Sequence, residues 1–370
     1  MCRFFLKIVL MAVLVTITYT IFMYTTDPYQ LVGNKQEGKV FPNFHLYSYN
    51  FLKKYDKLDY AFLGSSAVNY YDIGYMYGNN PNIYSMGIES STIEEQIAFG
   101  KLLAEKHPKE ITFFLSFYSF NPSRARENYF NKFVVLRNST LVDFVYQYFN
   151  KTAFFDALKY VKKNRQDTSW AMQFNPDGTR TQNHYKLDKA YNFDSSLADY
   201  LALNYSDKRL YGSRTFKEPA SIDKAMEQIG EFKSFCEEKN IKLNIVIAPD
   251  YRMNTVLIYY MGLGKTYEHL RIKLAEIQLF YDLNLDTTFT CNHRNYWDAH
   301  HVRDGKYVMD DLKSTDYLLK KENVESTFEI LRPKEKETEK LKSIFFRYKN
   351  WERAKKISEE DIKQTPLLAE

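Results

Sequence analysis

Apolar and polar residues change register several times along this chain, and each register predicts a different kind of element. From Ile8 to Tyr24 no residue is charged, and Phe4 to Leu6 extend the run beyond Lys7. At about 1.5 Å per residue a helix of this length crosses a hydrocarbon core, with Lys7 snorkelling at one end. An aromatic-rich lead-in from Asp27 to about Asn50 follows, and then short apolar runs alternate with amphipathic stretches. Leu58–Leu63 reads as a buried strand ending at Gly64-Ser65-Ser66, and Asn82–Met86 as a second ending at Gly87. Ser91-Thr92-Ile93-Glu94 has capping-box spacing and opens a helix to about Lys106. Ile111–Phe117 is a third strand, apolar enough to be covered on both faces.

From 121 to 216 the rhythm breaks into an aromatic, polar stretch, helical near Leu141–Lys163 and carrying the loop signal Asn175-Pro176-Asp177-Gly178. It reads as an insertion, where substrate specificity commonly resides. The alternation resumes with a helix over Ser221–Lys239, a strand over Ile241–Ala248 and a helix over Lys265–Phe280. Leu283–Thr287 is the last expected strand, followed by a loop with Asp298 and His301 and a helix over Lys306–Lys320. This order predicts an α/β fold of flavodoxin-like, three-layer α/β/α type, its mostly parallel sheet binding ligands at the carboxyl ends of the strands. The expected domains are residues 1–26 as stub and anchor, 27–330 as the sheet domain with its insertion, and 331–370 as a charged tail. Phe345, Phe346, Tyr348 and Trp351 interrupt the charges of that tail. A solvated helix packed on the domain or a disordered segment is its plainer reading, and contact with lipid the sharper one.

Charge places these parts in the cell. Arg3 and Lys7 precede the apolar run and Asp27 follows it, so the positive-inside rule keeps the N-terminus in the cytoplasm and the bulk of the chain outside. A cleavable signal peptide is the competing reading, but no small-x-small site follows the run, which favours a single-pass anchor. The net charge of +5, from 51 basic and 46 acidic residues, is too near neutral to point to nucleic acid as the main ligand. Abundant Lys and Asn, encoded by A/T-heavy codons, suggest a bacterial source and hence an inner or plasma membrane. Three cysteines make no disulfide framework, and Cys236 and Cys291 read as separate buried thiols.

Candidate chemistry lies in two blocks. Gly64-Ser65-Ser66 at a strand end can project a hydroxyl into an open crevice. Trp297-Asp298-Ala299-His300-His301 supplies an imidazole and, three residues before it, a carboxylate able to fix its tautomer. After the first and last strands of an alternating chain, these blocks meet at one edge of the sheet. A metal site is the rival reading, since Cys291, His293, Asp298, His300 and His301 crowd together, but their spacing fits no zinc pattern.

Phe62-Leu63-Gly64-Ser65-Ser66, Ile83-Tyr84-Ser85-Met86-Gly87 and Asp298-Ala299-His300-His301 together resemble the blocks of the SGNH (GDSL-like) hydrolase superfamily. The likeness is to its membrane-anchored branch, which includes teichoic acid D-alanyl-transfer and alginate O-acetylation proteins. The resemblance runs from about Asp27 to Lys320 and implies Ser66 as nucleophile, His301 as base and Asp298 as its orienting carboxylate. It implies an oxyanion hole from the backbone N–H groups of Ser66 and Gly87. The family's Gly-x-Asn-Asp block has no clear match, and Asn121 is the residue left to offer a side-chain donor to substrate. Ser65 is a second candidate nucleophile, and His300 a solvent-facing or substrate-contacting neighbour. The implied activity is serine-dependent transfer or hydrolysis of an O-acyl group, acetyl first, on a cell-envelope polysaccharide. That chemistry needs no cofactor, and its natural partner is a multi-span O-acyltransferase. An inactive glycan-binding or assembly subunit of such a system is the alternative.

Overall fold

Six apolar runs pair into one sheet in the order β2-β1-β3-β4-β5-β6. In this computed structural model the described residues are 2–33, 44–78, 80–124, 145, 147–165, 175, 177–180, 197, 200–201, 203–205 and 211–347. The strands are β1 Tyr60–Ser65, β2 Ile83–Ile88, β3 Glu110–Leu115, β4 Lys242–Ile247, β5 Phe280–Asp282 and β6 Leu318–Leu319. The first five pair in parallel and β6 lies antiparallel to β5. The fold is therefore α/β with a mostly parallel sheet, as the alternating pattern predicts. Every residue from Ala61 to Ser65 is buried, so side chains on either face of β1 meet protein, which is why this run lacks the period-two alternation of a half-exposed strand.

Contacts divide the chain into two units. One comprises Met1–Tyr55, Asn128–Pro176 and Thr181–His184; the other comprises Asp56–Glu127, Asp177–Arg180 and Tyr185–Glu370 and holds the sheet. The lead-in after the apolar run thus belongs with the N-terminal helix, Cys2–Thr26, and not with the sheet. That helix is long and apolar enough to cross a membrane. The expected helix over Leu141–Lys163 is observed as Lys151–Asn164, capped by the Asn150 side chain. Residues 141–144, most of the expected insertion and the tail beyond 347, with Tyr348 and Trp351, lie outside the described residues.

Local side-chain chemistry moves several boundaries. The capping box forms one residue later than expected: Thr92 Oγ1 accepts from the Glu95 N–H, and Glu95 accepts from the Thr92 N–H. Ser91 instead donates to the Ile88 carbonyl at 2.8 Å. The last parallel strand is Phe280–Asp282, not Leu283–Thr287, because the Asp282 carboxylate accepts from the Asn284 N–H and turns the chain. Asp286 then caps a short helix, Thr287–Thr290. The helix expected over Lys306–Lys320 ends at Asp311, and β6 occupies part of the remainder. A helix at Arg252–Tyr260 escapes the pattern, since it is buried nearly all round and shows no polar face. Cys236 is buried, and burial pushes its thiol up to about 12, whereas Cys291 is exposed, contrary to expectation.

One buried ion pair fixes β5. The Arg271 guanidinium, on the helix Gly264–Ile277, meets both Asp282 oxygens at 2.6 and 3.2 Å, and both side chains are fully buried. Arg271 also donates to the Tyr267 carbonyl and stacks on the Tyr267 ring. Asp282→Ala strands this guanidinium and is expected to lower the unfolding free energy by about 3–5 kcal/mol in chemical denaturation. The apolar double change Arg271→Met with Asp282→Leu should recover most of that loss.

Candidate active site

Ser66 and Ser65 are separated by the pleat of β1. Ser65 closes the strand with its side chain buried, its hydroxyl 2.8 Å from the Ser116 hydroxyl. Ser66 opens the 3-10 turn Ser66–Tyr70 and is only half-buried. Successive side chains of an extended chain point to opposite sides, so Ser65 packs inward while Ser66 reaches His301. The Ser66 Oγ lies 3.0 Å from His301 Nε2. Gly64 permits the close packing behind them: a Cβ there would sit 2.6 Å from the Phe114 carbonyl oxygen and from Val68.

A small loop presents His301. Trp297 N–H donates to the His301 carbonyl at 2.8 Å, and an antiparallel bridge joins Tyr296 to Val302. Inside this loop Asp298 Oδ1 accepts the N–H groups of His300 and His301 at 2.8 and 2.9 Å, and Oδ2 meets His301 Nδ1 at 2.7 Å. Because a carboxylate only accepts, Nδ1 carries the proton of the neutral ring, leaving Nε2 to accept from the Ser66 hydroxyl. Burial alone would raise the Asp298 carboxyl, but the His301 imidazole and the N–H donors outweigh it and hold the group well below the usual carboxylate range. The Tyr70 ring packs edge-on against His301, and Arg180 pairs with Glu89 close to the Tyr70 hydroxyl.

His300 does not face solvent or substrate as expected. Its ring is buried, with Nδ1 2.6 Å from Asp250 Oδ1 and Nε2 3.2 Å from the Asn204 amide nitrogen. The Asn204 amide also donates to Asn254 Oδ1, and Asn254 in turn donates to Asp250 Oδ2. The rings of Tyr118 and Tyr200 pack edge-on against His300. Sequence reasoning missed Asp250. The available signal was its position just past Ala248-Pro249, at the carboxyl end of β4, where α/β sheets gather functional groups. Asn204 lies in the stretch read as an insertion and carried no comparable signal.

The two remaining expected residues lie in different surroundings. Gly87 lies within β2, paired with Gly64, and a Cβ there would collide with the Asn69 amide, which donates to the Gly87 carbonyl. The Ser85 N–H turns away from β1 to the Asp177 carbonyl at 2.7 Å. By the two-residue repeat of a strand, the Gly87 N–H points from that same edge, outside the β1 ladder. Asn121 lines a different hollow, with Thr92, Ser119 and Lys224, whose lining includes none of Ser66, Asp298 or His301. Among the described residues no group of three or more His, Cys, Asp or Glu is placed to hold a metal ion.

Asp298→Asn is expected to lower the thermal midpoint at pH 7. A carboxyl depressed in the folded state stabilises it fully above the unfolded value and loses that contribution as pH falls toward the folded one. The gap between variant and parent should therefore narrow only below about pH 4, which melting curves across pH would read. His300→Ala leaves Asp250 buried without its imidazole and loosens the loop behind His301. It should slow, without abolishing, phosphonylation of Ser66 by a fluorophosphonate probe, whereas an unchanged labelling rate would make His300 irrelevant to the site. No family model, curated protein or solved structure matches this chain, so its function rests on the geometry alone.

Proposed function

We propose that this chain is a serine-dependent acyl-transfer enzyme of the SGNH hydrolase type, held by a single-pass anchor in a bacterial inner or plasma membrane. Its sheet unit lies outside the cytoplasm and acts on a cell-envelope polysaccharide, moving a small acyl group, acetyl first. The observation that carries this reading is the unbroken hydrogen-bonded path from Ser66 Oγ through His301 to Asp298, at 3.0 and 2.7 Å. A partly exposed serine, an imidazole of defined tautomer and a buried ionised carboxylate in line are what nucleophilic acyl transfer requires. The strand order 2-1-3-4-5 supports the finer architecture, a flavodoxin-like sheet between two helical layers. The N-terminal apolar helix and its charged flanks support the location.

The chemistry follows from these groups. Ser66 Oγ attacks the acyl carbonyl as His301 Nε2 takes the hydroxyl proton, and Asp298 stabilises the imidazolium that forms. The N–H groups of Ser66 and Gly87 receive the developing oxyanion, and His301 returns the proton to the departing alcohol. In the second half a sugar hydroxyl or water, deprotonated by His301, attacks the acyl-serine and frees Ser66. No step calls on a cofactor. A multi-span acyltransferase that delivers the acyl group across the membrane is the partner this scheme needs.

A fluorophosphonate probe tests the assignment directly, because it phosphonylates an activated serine whatever the natural acceptor. One label is expected, mapped to Ser66 by peptide mass spectrometry, absent in Ser66→Ala and slowed about a hundredfold or more in His301→Ala. Labelling at Ser65 or elsewhere, or labelling indifferent to His301, overturns the proposal.

A further inference from the structure

The unit that carries the anchor exposes a second apolar surface. The helix Lys151–Asn164 buries Ala153, Asp156, Ala157 and Tyr160 on one side. On the opposite side Phe154, Phe155 and Leu158 are 37%, 48% and 43% exposed, joined just before the helix by Val145 and Phe149 at 50% and 42%. Large side chains gathered so openly on one face mark a surface that meets something apolar.

Its height relative to the anchor indicates what that is. Tyr19 lies against Phe149 and Phe154, with ring centroids 5.2 and 6.0 Å apart, and Phe22 lies 6.1 Å from Phe154. At 1.5 Å per residue, Phe22 and Tyr19 stand about 6 and 10 Å before the helix end at Thr26. The aromatic patch is thus level with the last turns of the apolar span, and its surface is continuous with the anchor's own exposed side chains. This placement is held firmly. The Asp27 carboxylate accepts from the N–H groups of Leu31, Val32 and Gly33 and from the Tyr148 hydroxyl. The Tyr29 hydroxyl donates to Asp156 at 2.8 Å, and Tyr19 donates to the Tyr148 carbonyl. Charge agrees as well: Lys151, Lys159, Lys162 and Lys163 stand on this helix, and its one acid, Asp156, is turned inward to Tyr29 and Lys159.

We propose that the face formed by Phe154, Phe155, Leu158 and Phe149 lies in the outer interface of the bilayer, with the helix's lysines against anionic lipid headgroups. It rests on reading Cys2–Thr26 as membrane-spanning. The surface gives the chain a second hold on the membrane, in the manner of an interfacial amphipathic helix packed beside a transmembrane one.

The full chain with Cys2→Ser and Cys291→Ser, Cys236 remaining buried, takes one environment-sensitive fluorophore at a time. The labelled positions are Val13→Cys, Phe155→Cys, Leu158→Cys and Lys163→Cys, in nanodiscs of phosphatidylcholine and phosphatidylglycerol bearing acyl-chain nitroxides. Quenching is expected at 13, 155 and 158, and at 155 and 158 by at least about twofold more than at 163 on the polar flank. Quenching at 13 with 155 and 158 no stronger than 163 overturns the interfacial face and leaves the anchor standing. Absence of quenching at 13 overturns the anchor reading and this inference with it.

Discussion

A carboxylate buried away from bulk water survives only where donors replace its hydration, and Asp298 meets that demand within its own loop. Its two oxygens take the N–H groups of His300 and His301 and the Nδ1 proton of His301. The same three bonds that make the buried charge tolerable also set the loop's backbone and fix which imidazole nitrogen is free. Ser66 then needs only to arrive from the end of β1 for a proton path to exist. Ring orientation, tautomer and loop shape are one solution to one desolvation problem. Disturbing the carboxylate disturbs all of them together.

The neighbouring histidine solves the converse problem. The loop bends through Trp297–His300, and while His301 faces Ser66 the His300 side chain turns into the interior, where a polar ring needs partners at both nitrogens. Asp250 and Asn204 supply them. Two Asp–His pairs result: one is partly exposed and faces Ser66, while the other is enclosed by Tyr118 and Tyr200 and holds the loop in place. Position in the Asp-x-His-His sequence does not distinguish these roles; the direction of each side chain does.

That contrast marks the limit of what the sequence reveals. Continuous apolar runs betray β1, β3 and β4 because a strand covered on both faces has no polar positions to spare, and the meeting of Ser66 with Asp298 and His301 follows from their chain positions alone. Single-residue competitions are not legible in this way. Asp282 ends β5 early by bonding the backbone, Thr92 wins the cap from Ser91, and Arg252–Tyr260 hides because a helix buried all round has no period. The inward turn of His300 is equally invisible, since it depends on Asp250 and Asn204, both far away along the chain. The composition of the stretch around 121–216 hides Asn204 among polar loop residues.

The turn that follows β4 joins these observations to the charged C-terminal segment. Asp250 holds His300, the Tyr251 N–H donates to the Ala299 carbonyl at 2.9 Å, and the Arg252 guanidinium faces the other way. Arg252 donates to the carbonyls of Ile330, Leu331 and Arg332 and grips both oxygens of Glu337, the pair holding the Glu337 carboxyl below its ordinary value. Leu341, one turn further along the helix Glu335–Arg347, is fully buried. Three successive residues thus brace the loop of His301 on one side and the tail helix on the other. The portion of the tail up to Arg347 therefore supports the turn that holds the His301 loop, and its high charge reflects the exposed face of a docked helix. A guanidinium saturated by three carbonyls and a carboxylate has little freedom left, so the turn after β4 is held at both of its faces.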